Sequence, residues 1–143
     1  MTIAATAPKR VTDGLTVSST VILIATGTLL WAIGVLLLRW LGGAGLLSGQ
    51  AQVIVYALTV PGSIPLVPLG RMVARLPASE TLSSVAVMAI TALLIDGIVI
   101  GYYPDLYSSN AETARACAGA LLWGVGVVLA LAAVMQPRQG RHH

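Results

Sequence analysis

Residues 21–38 read VILIATGTLLWAIGVLLL, a stretch with no charged side chain. A helix that crosses the hydrocarbon core of a bilayer needs about 20 mostly apolar residues. Three more stretches, at 51–69, 82–103 and 114–135, are similarly long and apolar, and the only charges among them are Asp96 and Arg115. The sequence therefore predicts an all-α membrane protein with four transmembrane helices.

The composition agrees with this class of protein. Hydrophobic residues make up 57% of the chain and charged residues 9%, and the mean hydropathy is +0.89. A soluble domain carries about 25% charged residues, so the chain is neither an ordinary soluble enzyme nor a disordered segment. The eight basic residues flank the apolar stretches and form no basic run with interleaved aromatics. The expected partner is thus the lipid bilayer, with no role in nucleic-acid binding.

Short links between the apolar stretches leave no room for a soluble domain, so we expect one membrane domain over residues 15–135. Each predicted span has about the length needed to cross a bilayer. The spans lie at about 17–39, 51–70, 81–103 and 112–135. Short links favour an up-down bundle with antiparallel neighbours. Residues 1–14 and 136–143 are expected to be mobile tails.

The distribution of basic residues predicts the orientation in the membrane. Six of them would lie on one side: Lys9, Arg10, Arg71, Arg75, Arg138 and Arg141. Two would lie on the other side, Arg39 and Arg115. Because cytoplasmic flanks are richer in Lys and Arg, both termini are predicted to be cytoplasmic. An aromatic belt is expected at the opposite face, and its members are Trp40, Tyr102, Tyr103 and Tyr107.

Asp96 is the one acidic residue inside the four apolar stretches. A carboxylate at such a depth costs about 2.5–3.5 kcal/mol on insertion scales, so it should face protein or water. Counting residues along the helices brings Arg115 and Tyr56 to nearby depths on the outer side as candidate partners. Asp96 is then either a proton or cation relay, or one half of a structural bond that fixes helix register.

The second span contains Pro61, Pro65 and Pro68, at a spacing that places them on one helix face. Each proline removes one backbone donor, which would leave the carbonyls of Ala57, Pro61 and Ile64 without their usual partners. Two interpretations follow. The helix is broken and its carbonyls line a cavity or an ion path, or it is kinked and neighbours satisfy the carbonyls.

Small residues recur at helical spacing in the last two spans. Gly97 and Gly101 form a GxxxG pair, while Ala116, Ala120 and Gly124 repeat every four residues. Such faces let helices approach closely. We expect them to pack the four spans against one another, and a dimer interface is the alternative.

Motifs for phosphate, metal or nucleophilic chemistry are missing from the sequence. The chain contains no P-loop, HExxH, CxxC or GxSxG pattern, its only histidines are His142 and His143, and its single cysteine is Cys117. We therefore expect no metal site, no cofactor and no enzymatic activity. The alternative of an enzyme acting on lipid at the outer face would require Asp105, Glu112 or the outer tyrosines to converge on one cleft.

Four short motifs resemble a group of small bacterial four-helix membrane proteins known only as a domain of unknown function. They are Leu30-Trp31, Asp96, Tyr103-Pro104 and Leu122-Trp123-Gly124, and the resemblance covers residues 20–135. It implies a four-helix fold in the bacterial inner membrane and supplies no activity. Small multidrug transporters are similar in having four spans and one membrane carboxylate. Their carboxylate is a glutamate in the first span, whereas residues 15–38 contain no acid.

These observations predict a non-enzymatic accessory or structural component of the membrane. The alternative is a small transporter coupled to protons or cations through Asp96. Four spans are few for enclosing a pathway, so a transporter of this size is expected to work as an oligomer. In either case a second copy or a larger membrane protein is the expected protein partner.

Overall fold

The computed structural model describes residues 14–137 and contains only helices and turns within that range. The helices are α1 (Val17–Gly43), α2 (Gly49–Ser63), α3 (Leu66–Val73), α4 (Thr81–Tyr102) and α5 (Ala111–Met135). Short 3-10 turns cover Ala78–Glu80 and Pro104–Leu106. Four segments are long and apolar enough to cross a membrane: Val17–Gly43, Gly49–Val73, Ala78–Tyr102 and Ala111–Met135. The predicted all-helical protein with four candidate spans is confirmed, and this is the fold of a multi-pass membrane protein.

Several predictions concern residues outside the described range. The two predicted tails lie largely there, as do four of the basic residues that set the predicted orientation and the histidine pair. Those residues are Lys9, Arg10, Arg138, Arg141, His142 and His143. The up-down arrangement and the cytoplasmic termini therefore stay predictions.

Polar side chains cap two of the long helices at their N-termini. Thr16 Oγ1 accepts a hydrogen bond from the backbone N–H of Ser19 at 3.2 Å, which starts α1. Asn110 Oδ1 accepts from the N–H groups of Glu112 and Thr113 at 2.9 and 3.1 Å, which starts α5. The first N–H groups of a helix have no partner within it, and such caps are worth about 1 kcal/mol each.

The second span is two helices rather than one. Pro61 lies within α2, and Ile64 and Pro65 form a turn before α3 begins at Leu66. The two halves also pack differently, because α2 contacts mainly α5 whereas α3 contacts mainly α4. The break thus lets one span lie against two different neighbours.

Helix α1 packs most extensively against α4, with α5 as its second neighbour. At Gly27 the two backbones come so close that an added Cβ would lie 2.9 Å from the carbonyl oxygen of Met88. This contact belongs to one buried cluster whose members are Leu23, Val67, Val85, Met88 and Ala132. A second cluster contains Val35, Leu47, Tyr107, Cys117 and Ala120. Both clusters lie between the helices, as they must in a bundle with an apolar exterior.

The outward surface of the bundle is strongly apolar. Large side chains are exposed on each of the four spans, for example Leu36, Val53, Leu94 and Leu122. In water such a surface would be costly, but hydrocarbon solvates it as well as a protein core does. The exposed apolar residues are therefore the lipid-facing side of the fold.

The glycine pair on α4 does not pack within this chain, contrary to the preferred interpretation of its spacing. Gly97 and Gly101 are exposed, and a Cβ added to either would meet nothing within 4 Å. Spacing identifies a face but not its rotation about the helix axis, and here that face points away from α1 and α5. The glycines with a neighbour closer than 3.0 Å to an added Cβ are Gly27, Gly42 and Gly70. The neighbour is Thr113 Cγ2 at 2.8 Å for Gly42 and Met88 Cε at 2.6 Å for Gly70.

The small residues of α5 do face other helices. Ala120 is buried, and Ala116 packs against the same cluster of buried side chains. A Cβ added to Gly124 would lie 3.7 Å from Cγ2 of Thr59 on α2. This stripe lies at the contact of α5 with α2 and α1.

Candidate functional site: a buried carboxyl between two spans and a loop

The Asp96 side chain lies inside the bundle, 3% exposed, on the face of α4 that meets α1. Its Oδ1 accepts a hydrogen bond from Trp31 Nε1 on α1 at 2.7 Å. The same oxygen accepts a second hydrogen bond from the hydroxyl of Tyr107, in the segment between α4 and α5. One carboxyl oxygen thus joins two spans and a loop.

The loop reaches Asp96 because of its proline. Tyr103 precedes Pro104, whose ring ends α4, and a 3-10 turn follows with hydrogen bonds from Leu106 N to Tyr103 O and from Tyr107 N to Pro104 O, both at 3.0 Å. This turn directs the chain back toward the bundle. Arg39 Nη1 donates to Leu106 O at 3.1 Å and ties the turn to the end of α1.

Tyr107 is 2% exposed, although the sequence places it in an aromatic belt. Burial raises the pKa of the Tyr107 phenol well above its usual value of 10.0, and the neighbouring Asp96 carboxyl raises it further. The hydroxyl therefore keeps its proton and acts as a donor. The other members of the predicted belt, Trp40, Tyr102 and Tyr103, are exposed. In the sequence, the only signal for Tyr107 is its position three residues after the helix-ending Pro104.

The second oxygen of the carboxyl, Asp96 Oδ2, is buried and has no hydrogen-bond partner. Asp96 also lines a cavity of about 300 Å³ between the spans, together with Trp31, Thr59, Ser63 and mainly apolar side chains. A buried polar atom without a partner is costly and is uncommon in folded proteins. Oδ2 is therefore the position at which a proton, water or cation would be stabilised.

The partners predicted for Asp96 are not the ones it has. Tyr56 stacks on Trp123, with ring centroids 5.7 Å apart, and its hydroxyl accepts from Gln52 Nε2 at 3.3 Å. Arg115 is exposed and lines a different cavity at the end of the bundle. Residue counting estimates depth along a helix but not rotation about its axis. Because Tyr56 belongs to α2, which packs on α5, it lies away from the contact between α1 and α4.

The indole of Trp123 donates from Nε1 to the carbonyl oxygen of Tyr56 at 3.1 Å. Trp31 and Trp123, which are similarly placed in their spans, thus both have their N–H groups bonded. Trp31 binds a side chain, whereas Trp123 binds the backbone of the helix that contains Pro61.

Two of the three carbonyls predicted to be free near the prolines have donors. Pro61 O accepts from Ile64 N at 3.2 Å, and Ile64 O accepts from Val67 N at 3.3 Å. The broken helix is therefore closed by short-range bonds of the 3-10 type. The side chains of Thr59, Ser63 and Leu66 line the cavity, while Pro61, Pro65 and Pro68 do not.

A larger cleft of about 600 Å³ opens where α1 ends and α2 and α5 begin. Its polar side chains come from α2, from α5 and from the residues that precede these helices: Ser48, Gln52, Tyr56, Asn110, Glu112, Thr113 and Arg115. Asp105 is not among the lining residues. Tyr102, Tyr103 and Tyr107 do not line this cleft either, whereas Glu112 does.

Residues 14–137 contain no group of three or more His, Cys, Asp or Glu side chains that could hold a metal ion. The buried thiol of Cys117 lies 3.6 Å from the carbonyl oxygen of Leu38, to which it donates. Cys117 thus fills space between α5 and α1 as a small apolar side chain.

Comparison with known proteins finds no matching family model, no similar curated protein and no similar solved structure.

Proposed function

We propose that this chain is a non-enzymatic accessory or structural component of the bacterial inner membrane, with both termini in the cytoplasm. In this proposal the role of Asp96 is structural, and its carboxyl stabilises the packing of the elements that it bonds. The observation that carries it is that a single carboxyl oxygen accepts hydrogen bonds from Trp31 and Tyr107, which lie on two other elements. Both donors are neutral, so the site holds the helices together without a charge pair.

The order of contacts supports the up-down arrangement. Contacts between α1 and α4 advance together along both helices, from Gly27 with Met88 to Trp31 with Asp96. Contacts between α1 and α5 run in opposite directions, since Leu23 clusters with Ala132 whereas Leu38 meets Cys117. Spans that alternate in direction produce this pattern. The main neighbour of α1 is nevertheless the parallel third span, and not an antiparallel one as the short links predict.

A role through protein contacts is supported by the exposed glycines of α4. Gly97 and Gly101 form a flat strip on the lipid-facing surface, where a helix of another chain could approach closely. We expect a second copy or a larger membrane protein to be the partner of an accessory component of this kind.

The test compares Asp96→Asn with Asp96→Leu in lipid. The amide oxygen of asparagine still accepts hydrogen bonds from Trp31 and Tyr107, whereas leucine cannot. A structural role predicts that Asp96→Asn keeps both thermal stability and cellular function and that Asp96→Leu loses both. If Asp96→Asn folds normally but abolishes function, the proposed structural role of Asp96 is wrong.

A transporter coupled to protons or cations is the second candidate, and one observation favours it. Asp96 Oδ2 has no partner, and the residue lines the cavity between the spans. A relay predicts a carboxylic acid band in difference infrared spectra that is absent in Asp96→Asn and titrates between about pH 5 and pH 9. A carboxyl whose protonation does not change over this range would exclude the relay.

A further inference from the structure

The cleft of about 600 Å³ at the end of the bundle, called the end cleft below, takes no part in the function proposed above. We propose that the end cleft binds the headgroup of an ethanolamine phospholipid, in which a phosphate lies next to a primary ammonium. The site would hold this lipid as a bound component of the protein.

Arg115 provides the cation for the phosphate. It lies at the start of α5, its side chain is exposed, and it lines the end cleft. No acidic residue within the described range 14–137 forms an ion pair with its guanidinium. A guanidinium binds phosphate through two parallel hydrogen bonds, and a free one at the membrane surface is well suited to this.

Glu112 provides the matching anion. It precedes Arg115 by three residues on α5 and also lines the end cleft. Side chains at this spacing are neighbours on a helix surface, with Cβ atoms about 5–6 Å apart. An unpaired acid beside an unpaired base suits a zwitterion. A glycerol headgroup offers Glu112 neutral hydroxyl donors but no positive charge, and a choline headgroup has no N–H to donate.

Neutral donors and acceptors complete the wall of the cleft. The Gln52 side chain reaches the Tyr56 hydroxyl, and Thr113 lies in the first turn of α5. Tyr56 lines the cleft from α2 opposite Gly119 of α5, where an added Cβ would lie 3.2 Å from its hydroxyl. These groups can bind phosphate and ester oxygens below the charged pair.

The position of the end cleft favours a lipid over a free phosphate compound. It opens beside the C-terminal end of α1, which carries the exposed Trp40, and the Arg39–Leu106 bond brings the end of α4 to the same region. Tyr102 and Tyr103 are exposed there. Exposed aromatics of this kind lie at the level of the lipid headgroups.

The experiment is native mass spectrometry of the delipidated full chain in detergent, titrated with phosphatidylethanolamine, phosphatidylglycerol and phosphatidylcholine. The wild type should bind the ethanolamine lipid most tightly. Arg115→Gln should weaken this binding about tenfold, the effect of one charge-assisted hydrogen bond, and Arg115→Lys should weaken it less. Arg71→Gln, at the end of α3 and outside the end cleft, is the matched control and should bind as the wild type does.

A second variant tests the ammonium. Glu112→Gln should keep phospholipid binding but lose the preference for ethanolamine over glycerol headgroups. Equal binding of all three lipids by the wild type would overturn the proposal, as would unchanged binding by Arg115→Gln. Glycerophosphoethanolamine and inorganic phosphate are the probes without acyl chains. If either binds as tightly as the lipid, the site recognises a soluble phosphate and the lipid proposal is wrong.

Discussion

Trp31 on α1 and Tyr107 after α4 donate hydrogen bonds to the same oxygen of Asp96. The two donors are far apart in sequence, and neither carries a charge. The buried carboxyl therefore couples the packing of α1 against α4 to the position of the loop between α4 and α5. A substitution at any of the three residues should therefore alter the packing of the other two.

Tyr107→Phe removes one of the two donors and keeps the ring. We expect the free energy of unfolding to fall by about 1–3 kcal/mol, because the carboxyl is buried and the lost bond is not replaced by water. Denaturant unfolding in detergent or nanodiscs measures this change. Tyr102→Phe removes the same hydroxyl from an exposed ring and is the control, expected to change stability little. Equal effects of the two variants would contradict the role assigned to Tyr107.

Replacing both donors should reveal their coupling. In a double-mutant cycle of Trp31→Phe and Tyr107→Phe, residues that share one acceptor should show an interaction energy of about 0.5–3 kcal/mol. Thermal unfolding of the four proteins in the cycle measures this energy. As a control, Trp40→Phe on the exposed surface of α1 should be additive with Tyr107→Phe. Additive behaviour of Trp31→Phe instead would mean that the two bonds act independently.

Gly27→Ala should destabilise the contact of α1 with α4. The new Cβ would lie 2.9 Å from the backbone carbonyl oxygen of Met88, and backbone cannot move aside as a side chain does. We expect a loss of about 1–3 kcal/mol, typical of overpacking. Gly34→Ala on the same helix is the control, since its Cβ meets nothing within 4 Å. Alanine is the better helix former, so that change should leave stability equal or slightly higher. Equal changes in stability for Gly27→Ala and Gly34→Ala would contradict a tight contact at Gly27.

High pH should unfold the protein partly through Tyr107. Its pKa is raised in the folded state, so the folded protein keeps a proton that the unfolded chain loses above about pH 10. The unfolded state then binds fewer protons, and stability falls as the pH rises through that value. The unfolding midpoint of the wild type should therefore decrease more between about pH 9 and pH 11 than that of Tyr107→Phe. Identical pH slopes for the two proteins would show that burial of the phenol has no such effect.

The long apolar stretches were sufficient to predict the spans, because a bilayer imposes a minimum length on any helix that crosses it. α5 begins at Ala111, and the fourth predicted span begins at 112. The second span was harder. Its prolines indicated a disrupted helix, but only the structure places the turn at Ile64 and Pro65 and bonds two of the carbonyls expected to be free.

The partners of Asp96 could not be predicted from the sequence. Charge favours Arg115 as the partner and depth in the span favours Tyr56, yet both residues lie at other contacts. Tyr107 is in a loop, where helical periodicity does not indicate the direction of a side chain. Trp31 could be predicted as a partner of Asp96 only if the packing of α1 on α4 were already known. The Gly97–Gly101 pair was misjudged for a related reason, since spacing defines a helix face but not what covers it.

By itself the sequence determined that this chain is helical and apolar enough to cross a membrane four times, and that its long apolar stretches hold one acid, Asp96. These properties follow from composition and length, which act on each segment separately. The tertiary structure alone decided which helices are neighbours and where the polar side chains form a cleft. It also decided which oxygen of Asp96 accepts hydrogen bonds and which has no hydrogen-bond partner. Those outcomes depend on the rotation and register of packed helices, and a single segment carries no information about either.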